Sequence, residues 1–569
     1  MPSHTAMLKL LLPVMSLGAA LQAPAATAHD RSQAPGDAPI IERTTRLEHL
    51  SITAQALPVA PAGKSLTLTV DGVERDIAPG DYSGDVVLSV TPAMPVTYLD
   101  LPAHYFRTAV LVENGAYQPE KSVPAAVVSG TVGNDAARNL VIRSQGENFN
   151  GVIVKGPGNY LLQSPVITMA GRGGNDFAGF GAAVMATDRA HLTINDGYID
   201  TRGNIRTGLF VGGYATVDIN DSRIFIHNGP LPEGYVFDFA LGKMKQAPRV
   251  LGISGDARAQ VLVNGTVHYK RSHIRAEGWG ALSSDAPADN IRMLVEDSLI
   301  EVTESGYGAF SIGNSMAEFR NCAFDVADIA LIMASRASGH FTAGTVVNSR
   351  RFGVMMFTYP RSGQLRIDGK SIFNTAETAI LIKGTGGDVI IDDATINPGN
   401  GILLQAMVDD NTRAPGRPKP GEPYTKPPAD PDVYASIRNA DLSGDLVNSR
   451  TAQGNLHVRL ENARLTGRVS SATQSPATDK KPSFDNFRLY GAVANTFGNT
   501  DGPYGTTLSI DSGSVWTVTA ASYLTGLTIL PHAGIVGPDG KPAHLTVNGE
   551  DFDASRPGSY VGRIVVGSR

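Results

Sequence analysis

Three successive repeats in the middle of the chain carry Asn314, Arg336 and Tyr359, each six residues past the start of a short apolar strand. A fourth carries Lys383 four residues past its start, and two earlier ones carry Asp285 and Asp256 five and four residues past theirs. Strands stacked ~4.8 Å apart would turn these into a polar strip ~20–25 Å long, enough for several sugar rings. His273, Arg275, Arg350, Arg351 and Arg361 fall near the same side in this threading. The residue types suit abstraction of a proton beside a carboxylate. Arg336 would neutralise the carboxylate and the developing enolate, and Tyr359, Lys383 or His273 would move the proton. Neighbouring cations lower the pKa of a Tyr or Lys base. That is the chemistry of an eliminating lyase or an epimerase.

Other chemistries fit less of the pattern. Hydrolysis of a glycoside needs two carboxylates, for which Asp256 and Asp285 are the candidates. Trp279, Tyr307 and Phe352 precede the strands and would stack on sugar or phenol rings, or fill a corner of the fold. With Asn314, Asp256 and Arg351, Trp279 and Tyr307 complete the candidate substrate-binding set. No His-Glu-x-x-His or Cys-x-x-Cys spacing occurs, so no metal is expected. The glycine pairs at 171–174 and 384–387 lack the strand-to-helix setting of a phosphate loop, so no cofactor is expected either. The single cysteine, Cys322, excludes an intramolecular disulfide and reads as a buried small side chain.

The elements that position these residues follow from periodicity. Starts at Gly308, Ala330, Gly353 and Ala379 are 22, 23 and 26 residues apart. Further starts are placed at Gly181, Gly208, Gly252, Gly280 and Gly401. A repeat of this length that alternates strands with turns signals a solenoid. A second pattern, apolar-x-apolar-x-Asp/Asn-small-x-apolar, recurs at Leu192–Ile199, Val217–Ile224, Leu365–Ile372, Val389–Ile396, Val458–Leu465 and Leu508–Val515. The Asp or Asn makes a tight bend and the flanking apolar residues face one side. Asp196, Asp221, Asp297 and Asp393 occupy that bend, which explains them structurally. One strand per turn in the first pattern and two flanking the bend make an all-β, three-sheet parallel β-helix.

Residues 1–28 read as a signal peptide: Lys9, the apolar run Leu10 to Leu21, then Ala26-Thr27-Ala28. Residues 29–64 form an extended lead-in and 65–125 an N-terminal β end unit. The β-helix is expected over 126–530, with loop insertions at 229–249, 407–432 and 470–486, and 531–569 forms a C-terminal end unit. The two end units share Leu-Thr-Val-Asp/Asn-Gly and Pro-Gly-x-Tyr-x-Gly. A formal charge of -6 with no basic tail argues against nucleic acid as a partner. No later segment is long and apolar enough to span a membrane.

The stretches Val184-Met-Ala-Thr-Asp-Arg-Ala-His-Leu-Thr-Ile-Asn-Asp-Gly, Leu209-Phe-Val-Gly-Gly-Tyr-Ala-Thr-Val-Asp-Ile-Asn-Asp-Ser and Thr507–Thr519 resemble coils of pertactin-like autotransporter passengers. The resemblance spans roughly 130–530 and implies a right-handed parallel β-helix outside the cytoplasm, periplasmic or secreted. The alternating, aromatic-girdled strands of a membrane barrel are not seen before Arg569, so self-anchorage is not expected. The Gly-His-Gly and Arg-Ile-Lys signatures of the polygalacturonase-like hydrolases do not occur. The leading expectation is an exported enzyme acting on a carbohydrate or other polyhydroxylated or anionic ligand by elimination or isomerisation in a groove along the helix. The alternatives are a non-catalytic adhesin or carbohydrate-binding protein, and a periplasmic enzyme for small phenolic compounds whose loops close over a compact pocket.

Overall fold

The computed structural model describes residues 38–98, 104–238, 243–285, 291–357, 363–410, 432–499 and 502–567. Over these the chain is all-β, and parallel pairing dominates. The repeat lays its strands into three ladders. The first runs from Tyr105–Glu113 through Phe149–Lys155, Val184–Thr187 and Leu209–Val211 to Ile402–Met407 and Val469–Pro476. The second runs from Gly158–Gln163 through Ala190–Asn195 and Ala215–Asn220 to Thr506–Ile510 and Ser522–Ile529. The third runs from Ala136–Ser144 through Val166–Ala170 and Tyr198–Arg202 to Thr395–Pro398, and a separate four-stranded sheet, from Asp441–Ser443 to Val515–Val518 and Gly534–Val536, takes its place in the later turns. Two long strands, His273–Ser284 and Leu299–Ile312, run out of the third ladder into the first through a register shift between Ala276 and Gly278. Parallel pairing therefore begins before residue 126 and continues past residue 530.

Alternation explains the core. In Ala190–Asn195 and Ala215–Asn220 every second residue is buried, and Leu192, Ile194, Val217 and Ile219 join one continuous cluster along the stack. The bends behave as their composition requires. Asp196, Asp221, Asp297, Asn321, Asp393, Asn439 and Asn462 all have φ between 48° and 53°, the left-handed region that Asp and Asn tolerate best. Their side chains bond from turn to turn, as in Asn321 Nδ2 to Asp297 Oδ1 at 2.6 Å and Asn462 Nδ2 to Asn439 Oδ1 at 2.8 Å. The next residue is small and buried, and its N–H donates to the hydroxyl of its counterpart: Ser222 to Ser272 at 3.2 Å, Ser272 to Ser298 at 3.0 Å, Cys322 to Thr345 at 3.2 Å. Cys322 thus stands where other turns have Ser. Burial pushes its thiol up to about 12, far from a reactive thiolate.

The register corrects part of the threading. Leu331 faces Val354 and Val354 faces Ile380, so Ala330, Gly353 and Ala379 are true counterparts. Leu282 faces Ala309, so Ala281 rather than Gly280 answers Gly308. Gln260 faces Leu209, so Ala259 answers Gly208, and Gly252 instead ends a short 3-10 turn inside the inserted segment. Ala183 and Leu403 replace Gly181 and Gly401 by the same logic. Glycines were read as strand starts, but several of them serve the corner just before the strand.

The two end units are one module used twice. Thr45–Ile52 pairs antiparallel with Gly80–Pro92, from Thr45 opposite Leu88 to Ile52 opposite Gly80. Ser522–Ile529 pairs with Gly558–Gly567 from Ser522 opposite Val566 to Ile529 opposite Gly558, with the irregularity at the equivalent place. Lys64–Val70 and His544–Val547 then add on the far side, and a tight turn follows at Asp71-Gly72 and Asn548-Gly549. The Asp71 carboxylate accepts from the Asp85 N–H and the Asn548 Oδ1 from the Arg563 N–H, both at 2.9 Å. Tyr82 and Tyr560 each donate to the carbonyl four residues back.

The outer face of the first ladder is apolar and covered. Ile332, Met355 and Leu381 point away from the core and pack with Met244, Ala247, Leu251 and Ile253 of the insertion that precedes Arg258–Leu262. The later insertion leaves as an antiparallel hairpin, Val469–Pro476 with Val493–Phe497. Arg351, only 4% exposed, holds it down by donating to the carbonyls of Gly252, Arg488 and Tyr490. Among the described residues no helix is long and apolar enough to cross a membrane.

Candidate functional site

The expected polar strip is divided among three places. Asn314 and Arg336 are exposed on the turns between the first and second ladders. Tyr359 and Arg361 lie outside the described residues, as does most of the 407–432 insertion. Lys383 ends its strand on the outer face of the first ladder but is buried, 2.6 Å from Asp410 and with Tyr490 across it at 5.7 Å. It is an ion-pair anchor for the loop at 408–410 rather than a free base. His273 sits on the outer face of the third ladder, bonded to Glu301 and edge-on to Phe225 at 4.8 Å, away from the other candidates. Arg351 is the loop clamp described above. The strip was drawn through unequal offsets, four residues for Lys383 and six for Asn314 and Arg336, so Lys383 falls on a strand and the other two past the ends of theirs.

Asp285, Trp279 and Tyr307 do come together, around an arginine that sequence reasoning passed over. Arg258 is 1% exposed. Its Nη2 lies 2.6 Å from Asp176 and its Nη1 2.7 Å from Asp285 and 3.1 Å from the Ser283 hydroxyl. Phe177 and Trp279 sandwich the guanidinium, with ring centres 4.8 and 4.6 Å away. Burial alone would lower the Arg258 pKa, but the two carboxylates outweigh it and hold the cation well above its ordinary value. Burial raises Asp285 despite Arg258, and burial with the charge of Asp176 raises Tyr98. Arg258 and Asp176 are buried, and the charges of the network are paired with one another. It clamps the loop at 175–177 to the ladder, and Trp279 and Tyr307 fill the space that a compact aromatic pocket would need.

A second constellation lies at the corner between the third and first ladders, where Asp256 is buried and Glu277 and His227 are partly exposed. Asn228 is its hub. The Asn228 N–H donates to Glu277 at 2.8 Å, its Nδ2 to Glu304 at 3.3 Å, and its Oδ1 accepts from the Asp256 N–H at 3.2 Å. The Asp256 carboxylate accepts from the Gly229 N–H at 3.1 Å. On the other side of Glu277, His227 Nδ1 lies 2.6 Å from its carboxylate, and His227 Nε2 lies 3.6 Å from Asp200. The two neighbouring acids are driven apart. Burial, aided by the charges of Glu277 and Glu304 and opposed by the Gly229 N–H, pushes Asp256 up to about 7. Burial also raises Glu277, but the hydrogen bonds from His227 and the Asn228 N–H prevail and hold it below the usual carboxylate range.

The backbone at this corner is under constraint. Trp279 has φ 63°, a conformation costly for a bulky residue, and its N–H donates to the Ser254 carbonyl at 2.7 Å. Gly255 crosses so close that a Cβ there would lie 2.0 Å from the Trp279 nitrogen. The segment Ser254-Gly255-Asp256 is thereby pressed onto Gly278-Trp279, which sets the Asp256 carboxyl beside Glu277. Strain of this kind clusters at functional sites. Among the described residues no group of three or more His, Cys, Asp or Glu side chains is arranged to hold a metal ion.

The sequence paired Asp256 with Asp285, but Asp285 is held by Arg258, and the carboxylates whose charges reach Asp256 are Glu277 and Glu304. Glu277, His227, Asn228 and Glu304 were missed because they sit at the ends of third-ladder strands, where no repeat pattern marks them. The available signal was local: His227-Asn228-Gly229 interrupts the ladder where the first insertion begins. Comparison with known proteins adds no relative to this geometry: no family model matches the chain, and neither a curated protein nor a solved structure matches it significantly.

Proposed function

We propose that the chain is an exported right-handed parallel β-helix enzyme that cleaves an extracytoplasmic carbohydrate by acid–base chemistry at Asp256 and Glu277. The regular three-ladder register supports the helical solenoid. The observation that carries the chemistry is the pair of neighbouring carboxyls with pKa values pushed apart, which is how one site holds both an acid and a base near neutral pH. Asp256, protonated up to about pH 7, gives its proton to the leaving glycosidic oxygen. Glu277, ionised and oriented by His227, takes the proton of the attacking water or stabilises the cationic sugar.

Hydrolysis is favoured over elimination by position. Arg336 follows the end of its first-ladder strand, whereas Asp256 precedes the start of one, so cation and acid lie at opposite edges of the same ladder. The corner itself is acidic, with Asp200, Glu277 and Glu304 around Asp256. That suits a neutral or amino-bearing glycan better than a uronate.

The test is a screen of the purified mature protein against neutral, amino-sugar and uronate polysaccharides, reading reducing ends and the ultraviolet absorbance of unsaturated products. New reducing ends without unsaturation are expected, with the alkaline limb of the rate near pH 7. Asp256→Asn is expected to lose about 10²–10⁴-fold in kcat. Turnover unchanged in both Asp256→Asn and Glu277→Gln would overturn the assignment, and unsaturated products would return the chemistry to elimination.

A further inference from the structure

The duplicated end module has two open sides, and each copy docks by a different one. In the C-terminal copy the first strand, Ser522–Ile529, carries a parallel partner on its outer edge: Thr506–Ile510, with Thr507 opposite Gly526 and Ile510 opposite Ile529. The equivalent strand of the N-terminal copy, Thr45–Ile52, pairs only with Gly80–Pro92 among the described residues. In the N-terminal copy the short strand Val73–Arg75 carries a parallel partner instead, with Val73 opposite Arg143 and Glu74 opposite Ser144. Its equivalent, Glu550–Asp553, has no such partner among the described residues, and all four of its residues are exposed. Each end thus leaves open the edge that its twin uses to dock.

Exposed apolar side chains gather at the same places. Ile40, Leu57 and Val59 are 62%, 37% and 43% exposed at one end, and Leu530, Phe552 and Val561 are 42%, 40% and 79% exposed at the other. Open strand edges with apolar neighbours are normally covered or blocked, because they template pairing with another chain.

We propose that these two edges mate with each other between copies of this chain, so that the N-terminal edge 49–52 of one molecule runs parallel to Glu550–Asp553 of the next. Parallel pairing follows because both occupied edges carry parallel partners. The occupant is a second copy because the module supplies both halves of the junction. One edge sits at each end, so the contact is head-to-tail and does not close on a dimer; it extends into linear chains. The paired segment is four residues long, so the contact is weak and association depends on concentration.

Sedimentation of the mature protein over a wide concentration range tests this. The average mass is expected to rise steadily past the dimer. Ser51→Glu sets a carboxylate on the exposed N-terminal edge facing Glu550, Asp551 and Asp553, and should weaken association about tenfold while leaving the melting temperature of the monomer unchanged. Asp551→Lys in the same chain should restore it. A monomer at every concentration, a dimer that grows no further, or association indifferent to Ser51→Glu overturns the proposal. Association that appears only after residues 29–37 are removed puts the chain's own leader on that edge and overturns it equally.

Discussion

Two faces built by the same coils treat charge in opposite ways. The outer face of the first ladder presents Ile332, Met355 and Leu381 beneath two inserted loops, and its few charges are buried: Arg258 with Asp176 and Asp285, Lys383 with Asp410. The outer face of the second ladder carries a row of partly exposed histidine–carboxylate contacts. There His191 meets Asp218 at 2.7 Å, His268 meets Glu296 at 2.8 Å, and His340 meets Asp368 at 3.0 Å. Strand geometry is common to both, so the difference lies in what covers them. Under a loop, a charge must find every partner inside the protein. In the open, water does most of that work, and a lost partner costs little.

The comparison breaks most visibly at Arg258. Arg258→Met would leave Asp176 and Asp285 in apolar surroundings with no cation, and is expected to cost about 3–5 kcal/mol in denaturant unfolding. Replacing the two carboxylates as well, by Asn at 176 and Leu at 285, should recover most of that loss, because uncompensated charge rather than missing attraction is what destabilises. A triple variant as unstable as the single one would mean that the network contributes shape and not charge balance.

A smaller effect of definite sign is expected where the cover ends, at Asp256. Its folded pKa of about 7 lies above the ordinary carboxylate value, so the folded protein holds a proton that the unfolded chain releases. The stabilisation is therefore complete below pH ~4 and is lost as pH rises through about 7. Thermal melts at pH 5 and pH 8 should show a larger drop in the parent than in Asp256→Asn, by a few degrees. An equal drop in both would place the Asp256 pKa near its unfolded value and remove the physical basis of its acid role.

Sequence alone showed the ladders well, because they rest on local rules repeated many times. Asp or Asn at most bends, a small residue after it and alternating apolar residues are each fixed by a few neighbours and reappear in the structure, although Arg271 and Ala343 take the bend in two turns. Cys322 was correctly placed as buried for the same reason. The site was legible only in part, because it depends on chain segments that meet across the insertions. Asp176 reaches Arg258 over 82 positions, and Arg351 reaches Tyr490 over 139. No periodicity encodes such contacts. Counting from a strand start also does not say which ladder a residue joins, which is how His273, on the third ladder, and Lys383, on the first, came to share a strip they do not occupy. The duplicated end module, by contrast, was visible in its Leu-Thr-Val and Pro-Gly-x-Tyr motifs, but which edge each copy leaves open required the pairing.

The smallest effect is expected on the open face, and it sharpens the comparison because it should be almost absent. His340 stands between Glu318 at 3.7 Å and Asp368 at 3.0 Å, and Arg366 also reaches Asp368. By contact alone this resembles the Arg258 cluster: a nitrogen-bearing ring between two acids, with a guanidinium in support. The His340 side chain keeps 25% of its surface in water and the Arg366 side chain 37%. Water can therefore replace either partner, and Asp368 retains Arg366 when the imidazole goes. His340→Ala is expected to change unfolding free energy by no more than about 0.5 kcal/mol, and part of that change should vanish in high salt. A loss approaching that of Arg258→Met, insensitive to salt, would show that the second ladder's face is covered after all, by a partner that the coils alone do not reveal.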